Sequence, residues 1–402
     1  MQSLHVFSEY EQLQTVIVHR PGAEIDRLLP DNYRTYLFED IPYLTKLQRE
    51  HDGFAELIRS CGARVLYAEH LLLEMLANSA AKEITVEAVT AYERCEGLTG
   101  DLLSLPNEQL AAVLIGGLRA EEARTRGMKV SRYLSDERIL IPPLPNMYFM
   151  RDPAAIVGNC IISSNMYYAA RGREAILMEH IFRYHPEFGC ADAFVFGVDD
   201  DERYPYTIEG GDIVVISRDS VAIGRSERTS TDAIGKLAVK LFQRGTVKRL
   251  YEVFVPPRRE YMHLDTVFTI LAPQTIIAHK GSLSELPQTR VYEAADNDVG
   301  YIVRSQSQTI LDVLHEELGT LTIIEVAGGD KYYADREQRT DGANVFTVAP
   351  GKVIGYDRNQ MTNKALRASG VEVLEFEGSE LVRGLGGARC MTMPIERAAP
   401  QD

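Results

Sequence analysis

Apolar residues in this chain recur in one repeated arrangement: a helical face, a glycine, then a short β-branched run. Leu44, Leu47, Phe54, Leu57 and Ile58 are spaced so that they gather on one side of a helix. Gly62 ends that pattern, glycine being the usual residue for the left-handed stop, and residues 64–67 follow as a strand. The same order returns four times. It predicts helices over 173–185, 231–244, 309–318 and 362–369, stopped at Gly189, Gly245, Gly319 and Gly370. The strands that follow are predicted at 193–196, 250–255, 321–326 and 371–376.

From Gly189 onward the marker glycines stand 51 to 74 residues apart, whereas 127 residues separate Gly62 from Gly189. The surplus lies between 71 and 142, where the composition turns helical and strands are nearly absent until Ile139-Leu140-Ile141 and the Pro142-Pro143 stop. The pattern therefore predicts an α/β array of five units, residues 1–70 and 143–402, with a helical domain, 71–142, inserted in it. Closure of such an array would bring distant strand ends together around one centre, a natural place for a site. An ordinary α/β protein with coincidental repeats is the plain alternative.

Composition narrows the function. With 45% apolar and 25% charged residues the chain can bury a core and is not a disordered segment. A net charge of −15 argues against nucleic acid as the partner, although a locally basic pocket remains possible. No apolar stretch approaches the ~18 residues of a membrane span, and the opening MQSLHVFSEYEQ has no leader pattern. Cysteines 61, 95, 160, 190 and 390 are few, odd in number and scattered. That excludes a disulfide framework and a paired-CxxC zinc site, and it suits a reducing compartment. A cytoplasmic protein is expected.

Four segments fall where strands meet loops: Asn146 to Pro153, Glu209-Gly-Gly-Asp212, His263-Leu-Asp265, and Gly384 to Cys390. Each alone has a bland reading. Arg151-Asp152 suits a surface pair, Glu209-Gly-Gly-Asp212 a turn, His263 a satisfied core histidine, and Cys390 a small buried apolar residue. His263 and Asp265 at a spacing of two would share one side of a strand, and Cys390 after a glycine-rich run could be a presented thiolate. Together they combine a nucleophile, a proton carrier and an anionic cage. Acyl transfer would want N–H donors instead. Carboxylates suit a cationic planar group, of which guanidinium is the obvious one. A metal competes for histidine and carboxylates, but His263 has no second histidine at a ligand spacing.

These segments resemble those of arginine deiminases. Pro145-Asn146, Phe149-Met-Arg151-Asp152-Pro153, Ile208 to Asp212, Met262 to Thr269 and Gly386 to Pro394 occur in the family's order. So do Val18-His19-Arg20-Pro21-Gly22, Asp341-Gly-Ala-Asn344 and Tyr356-Asp357-Arg358-Asn359. The resemblance implies a five-bladed, pseudo-symmetric α/β propeller of the guanidine-modifying superfamily with an inserted helical domain. It implies hydrolysis of free L-arginine to L-citrulline and ammonia, no metal, no cofactor, no nucleic-acid or membrane partner, and a homodimer or homotetramer. Carried over by position, Cys390 is the nucleophile, His263 the acid/base and Glu209 its partner. Asp152 and Asp265 hold the guanidinium, and Asn146, Phe149, Arg171 and Arg228 line the pocket or bind the amino-acid end. Leu385 stands where many members have Arg, and Arg339 where many have Trp, of which this chain has none. An agmatine deiminase or an amidinotransferase would keep the core but not need Arg171 and Arg228. A non-catalytic guanidine-binding module would not need Cys390.

Overall fold

The computed structural model describes residues 2–197, 205–257, 261–286, 289–306 and 308–399. Five of its sheets share one plan: an antiparallel strand pair, then a helix, then a third strand parallel to the second. In one, Ala154–Val157 and Cys160–Ser163 pair antiparallel, and Phe194–Phe196 returns parallel after the helix Ala169–Tyr184. Ile213–Ser217, Ser220–Arg225 and Arg249–Phe254 repeat it around the helix Thr231–Gln243. Phe268–Ala272, Thr275–Ala278 and Thr322–Glu325 do so around Ile310–Leu318. Phe346–Ala349, Lys352–Tyr356 and Glu372–Phe376 do so around Gln360–Ala368. The remaining sheet is stitched from both ends of the chain. Its central strand, Leu13–Val18, pairs antiparallel with Met393–Arg397 and parallel with Arg64–Tyr67, the latter reached through the helix Leu44–Ser60.

All five marker glycines, Gly62, Gly189, Gly245, Gly319 and Gly370, adopt positive φ, between 58° and 86°. This is the backbone turn that places a parallel strand after each helix, and side chains with a Cβ pay for it. The helix expected from 173 begins earlier, at Ala169. Its first turn carries Arg171, buried by ion pairing, so it lacks the apolar face from which the helix was read. The longest interval between later glycines also has a cause. A hairpin, Thr289–Ala294 with Tyr301–Gln306, leaves the fourth unit and adds two strands to the neighbouring sheet beside Arg249–Phe254.

Residues 68–125 form the helices Ala68–Met75, Ser79–Tyr92, Thr99–Leu103, Asn107–Gly116 and Ala120–Thr125. A short ladder of Leu118–Arg119 with Ile139–Ile141 accompanies them. Leu72, Val86, Val89, Leu110 and Leu114 share one apolar cluster with Leu177, Ile181 and Phe182, so these helices pack on the helix Ala169–Tyr184. Among the described residues no helix is long and apolar enough to cross a membrane.

Candidate active site

The residues expected to carry chemistry lie in the short segments just before the first strands of four of these sheets. Asp152 stands just before Ala154–Val157, and Glu209 leads the 3-10 turn Gly210–Asp212 into Ile213–Ser217. His263 leads the turn Leu264–Thr266 into Phe268–Ala272, and Cys390 closes the loop before Met393–Arg397. His263 therefore caps a 3-10 turn, and Asp265 lies within it, rather than both lying along a strand. Both still reach the site, because the turn carries Asp265 toward Cys390.

The paired glycines of Glu209-Gly-Gly-Asp212 have a steric reason. A Cβ on Gly211 would stand 2.4 Å from His263 Nδ1 and 2.8 Å from Asp152 Oδ1, and one on Gly210 would stand 2.1 Å from the Arg151 carbonyl. Only a residue without a side chain lets Asp152 and His263 close over that turn.

His263 Nε2 meets Glu209 Oε2 at 2.9 Å, and His263 Nδ1 lies 3.6 Å from Asp152 Oδ1. Glu209 also accepts from Arg228 Nη1 at 3.1 Å and from the Tyr167 backbone N–H at 3.0 Å. Asp152 Oδ2 is held by Arg171 Nη1 at 2.6 Å, and Asp265 Oδ2 by Arg389 Nη1 at 2.6 Å. Cys390 Sγ lies 3.7 Å from Asp265 Oδ2. The other oxygens, Asp152 Oδ1 and Asp265 Oδ1, are buried without a hydrogen-bond partner. Buried carboxylate oxygens are costly when unpaired, and two of them beside one thiol form a receptor for a donor of several N–H groups.

Asn146, Phe149, Asp152, Arg171, Arg228, His263 and Cys390 line one pocket together with Leu37, Met262 and Leu385. It encloses about 20 Å³, room for about one water molecule, so a larger substrate must open it. Arg171 and Arg228 are not idle in it. Arg171 pairs with Asp152 and Glu174, while Arg228 pairs with Glu209 and lies over the Tyr168 ring at 4.7 Å.

Burial would lower the basicity of His263, but Asp152, the Glu209 hydrogen bond and Asp212 outweigh it and raise its pKa to about 9. The ring is an imidazolium at neutral pH. Burial pushes Glu209 up, yet Arg228 and His263 more than offset this and hold its carboxyl well below the usual range. Burial, with Asp265, Asp341 and Asp152, pushes the Cys390 thiol well above its ordinary value. Cys390 is therefore a neutral thiol at neutral pH. Asp152, Glu209 and His263 each offer a donor atom within 4.8 Å of the others, a spacing a cation could use. Two of these carboxylates already carry arginine guanidinium groups, and His263 Nε2 is engaged by Glu209.

Sequence reasoning missed three supports. Arg389 bridges Asp265 and Glu9, the latter held down at about 2 against its burial by Arg389 and Arg151. Asp212 accepts from Leu264 N–H and Ser226 Oγ, fixing the His263 turn. Asn344 joins the Cys390 and Asp265 loops. Arg389 beside Cys390 and the acid ending Glu209-Gly-Gly-Asp212 were visible signals; Glu9, far away in sequence, was not.

The sequence profile described as arginine deiminase matches residues 34–397. The chain is 39% identical over 408 residues to the arginine deiminase of Bacillus thuringiensis subsp. konkukian, covering 98% of each. It is 38% identical to those of Listeria monocytogenes and Staphylococcus aureus strain Newman, again covering 98% of each chain. Among solved structures it resembles a cysteine-to-serine variant of DDAH from Pseudomonas aeruginosa in complex with citrulline. The TM-score is 0.52 at 16% identity, over 95% of this chain and 99% of that one. It also resembles the N-terminal domain of an arginine dihydrolase from cyanobacteria, bound to product. There the TM-score is 0.54 at 13% identity, over 95% and 97% of the two chains. These two likenesses concern the fold.

Proposed function

The chain belongs to the arginine deiminase family, and from that premise we propose that it hydrolyses free L-arginine to L-citrulline and ammonia through a covalent thiouronium on Cys390. The observation that carries the reading is the pair of buried oxygens without hydrogen-bond partners, Asp152 Oδ1 and Asp265 Oδ1, set around a thiol and an imidazolium.

A guanidinium is resonance-stabilised and a poor electrophile. Asp152 and Asp265 orient it and fix its carbon near Sγ, which replaces a bimolecular encounter with a local one. The same cation offsets the two carboxylates that keep the thiol neutral, so substrate binding itself favours the thiolate, the thiol proton leaving to solvent because His263 already carries one. Sulfur attacks the guanidinium carbon. His263, as imidazolium, gives its proton to the departing nitrogen, the C–N bond breaks and ammonia leaves. The neutral His263 then takes a proton from water, whose oxygen attacks the thiouronium carbon. The C–S bond breaks and the remaining hydroxyl proton passes to the departing sulfur, releasing the ureido product and restoring the Cys390 thiol. Glu209 keeps the ring oriented and stabilises its charged form.

We read Asn146, Phe149, Arg171 and Arg228 as the residues facing the amino-acid end of the substrate. The five sheets are read as the blades of a five-bladed α/β propeller, residues 1–70 and 143–402, with 71–142 as the inserted helical domain. The common plan of those sheets and their glycine stops support this. A cytoplasmic enzyme without metal or cofactor, acting as a homodimer or homotetramer, completes the reading; its oligomeric part rests on resemblance alone. The test is citrulline formation from free arginine by purified protein in the presence of EDTA. No citrulline overturns the assignment, and loss with EDTA that zinc restores makes Asp152, Glu209 and His263 a metal site.

A further inference from the structure

Four of the five sheets carry a residue of the site in the segment just before their first strand: Asp152, Glu209, His263 with Asp265, and Cys390. The fifth carries Asn344 in the same segment, two residues before Phe346–Ala349, bonded to the Cys390 and Asp265 backbones. We propose that Asn344 is a positioning residue of the reaction, fixing the nucleophile Cys390 against Asp265, which holds the guanidinium. This rests on the thiouronium mechanism above.

The amide is buried and committed to both loops. Its Oδ1 accepts from the Cys390 backbone N–H at 3.0 Å, and its Nδ2 donates to the Asp265 carbonyl at 2.9 Å. Its own carbonyl accepts from the Arg389 N–H at 3.3 Å. The turn that presents it is strained: Asp341 holds φ at 58°, and its carbonyl accepts the Asn344 N–H at 2.9 Å. Gly387 packs so closely that a Cβ there would lie 2.5 Å from the Asn344 carbonyl.

The bridge needs an acceptor at one end and a donor at the other, which an amide supplies and a carboxylate or an alkyl group does not. Sγ and the Asp265 carboxylate sit on loops from two different sheets, so the amide sets the separation on which attack depends. Hydrolysis of the adduct relies instead on His263, whose ring is held by Glu209 and whose turn is anchored by Asp212. Asn344 therefore acts on the first half of the reaction.

Rapid-quench turnover of arginine in wild type, Asn344→Ala and Asn344→Asp, with mass detection of the Cys390 adduct, tests this. Adduct formation should slow by roughly 10- to 100-fold in both variants, as expected for a misplaced reacting pair, with hydrolysis of the adduct within about threefold of wild type. In Asn344→Asp the added carboxylate disfavours the thiolate further, so the pH profile of adduct formation moves to higher pH, which alanine does not reproduce. Adduct formation at the wild-type rate in folded variants, equal slowing of both steps, or failure of both variants to fold would each overturn the proposal. A wild type that makes citrulline without any adduct overturns the thiouronium mechanism first, and this inference with it.

Discussion

The His263 ring and the Glu209 carboxylate meet at 2.9 Å with neither group open to solvent, and Arg228 holds the same Glu209 oxygen at 3.1 Å. The arginine keeps the carboxylate ionised, and the ionised carboxylate keeps the ring protonated. A proton donor is thus ready before substrate arrives.

That arrangement fixes a pH dependence. His263 is protonated below about 9 and loses its proton as pH rises through that value. Since the proton is needed to release ammonia, kcat should fall on the alkaline side, at or below about 9 because bound guanidinium also disfavours the charged ring. Replacing Glu209 by Gln removes the hydrogen-bonded charge that supports the imidazolium. The alkaline limb should then move to lower pH, and the maximal rate should drop. Profiles of kcat against pH that coincide for wild type and Glu209→Gln would contradict this role.

Cys390→Ser should fold as the wild type does and lose turnover to background. A serine hydroxyl is a far weaker acid than the thiol, and the site's carboxylates disfavour any anion at that position. Quenched wild-type enzyme should carry the thiouronium mass on the peptide containing Cys390. Near-normal citrulline production by the serine variant rules out the covalent route.

Residues whose chemistry is local were legible from the sequence. Gly62, Gly189, Gly245, Gly319 and Gly370 all take the left-handed turn expected of them, because few other residues tolerate it. Glu209, His263 and Cys390 could be singled out because each adjoins glycines or a second acid. What the sequence did not show depends on three-dimensional neighbours. Glu9 reads as a surface acid until Arg389 is folded against it, and the hairpin Thr289–Gln306 reads as part of its own unit until it pairs with the next sheet. The ion pairs of Arg171 and Arg228 were equally hidden, since Asp152 and Glu209 come from other turns.

His19, within the opening Val18-His19-Arg20-Pro21-Gly22, serves stability. Its Nδ1 meets Glu69 at 2.8 Å and its Nε2 meets Glu24 at 3.0 Å. Burial would lower its pKa, but the two carboxylates raise it from 6.5 to about 10. Because the folded value is the higher one, the stabilisation is complete below about 6.5 and is lost as pH rises through about 10. His19→Gln should cost on the order of 3 kcal/mol near pH 6, since it leaves the buried Glu24 and the partly buried Glu69 without their cation. Urea unfolding of both proteins should show that difference shrinking toward pH 10. A difference independent of pH would mean the ring is neutral in the folded protein.

On the reading proposed above, substrate choice turns on Arg171 and Arg228. Free arginine brings a carboxylate that agmatine lacks, and an acidic chain would repel it unless a local cation intervened. Both arginines line the pocket, yet each already holds a site carboxylate: Arg171 has Asp152, and Arg228 has Glu209. Each replacement therefore does two things. It removes the proposed contact to the substrate carboxylate, a charge-assisted bond of about 1.5–3 kcal/mol or roughly 10- to 150-fold in kcat/KM. It also unanchors Asp152 or Glu209, which harms arginine and agmatine alike. The informative quantity is the ratio of kcat/KM for the two substrates. Wild type should strongly prefer arginine, and Arg171→Ala and Arg228→Ala should lower both rates while reducing that preference by at least about tenfold. If the preference survives in both variants, the two arginines serve only the catalytic carboxylates and the substrate carboxylate is bound elsewhere. If wild type uses both substrates equally, the pocket does not read the carboxylate at all, and the chain's preferred substrate is a different guanidine.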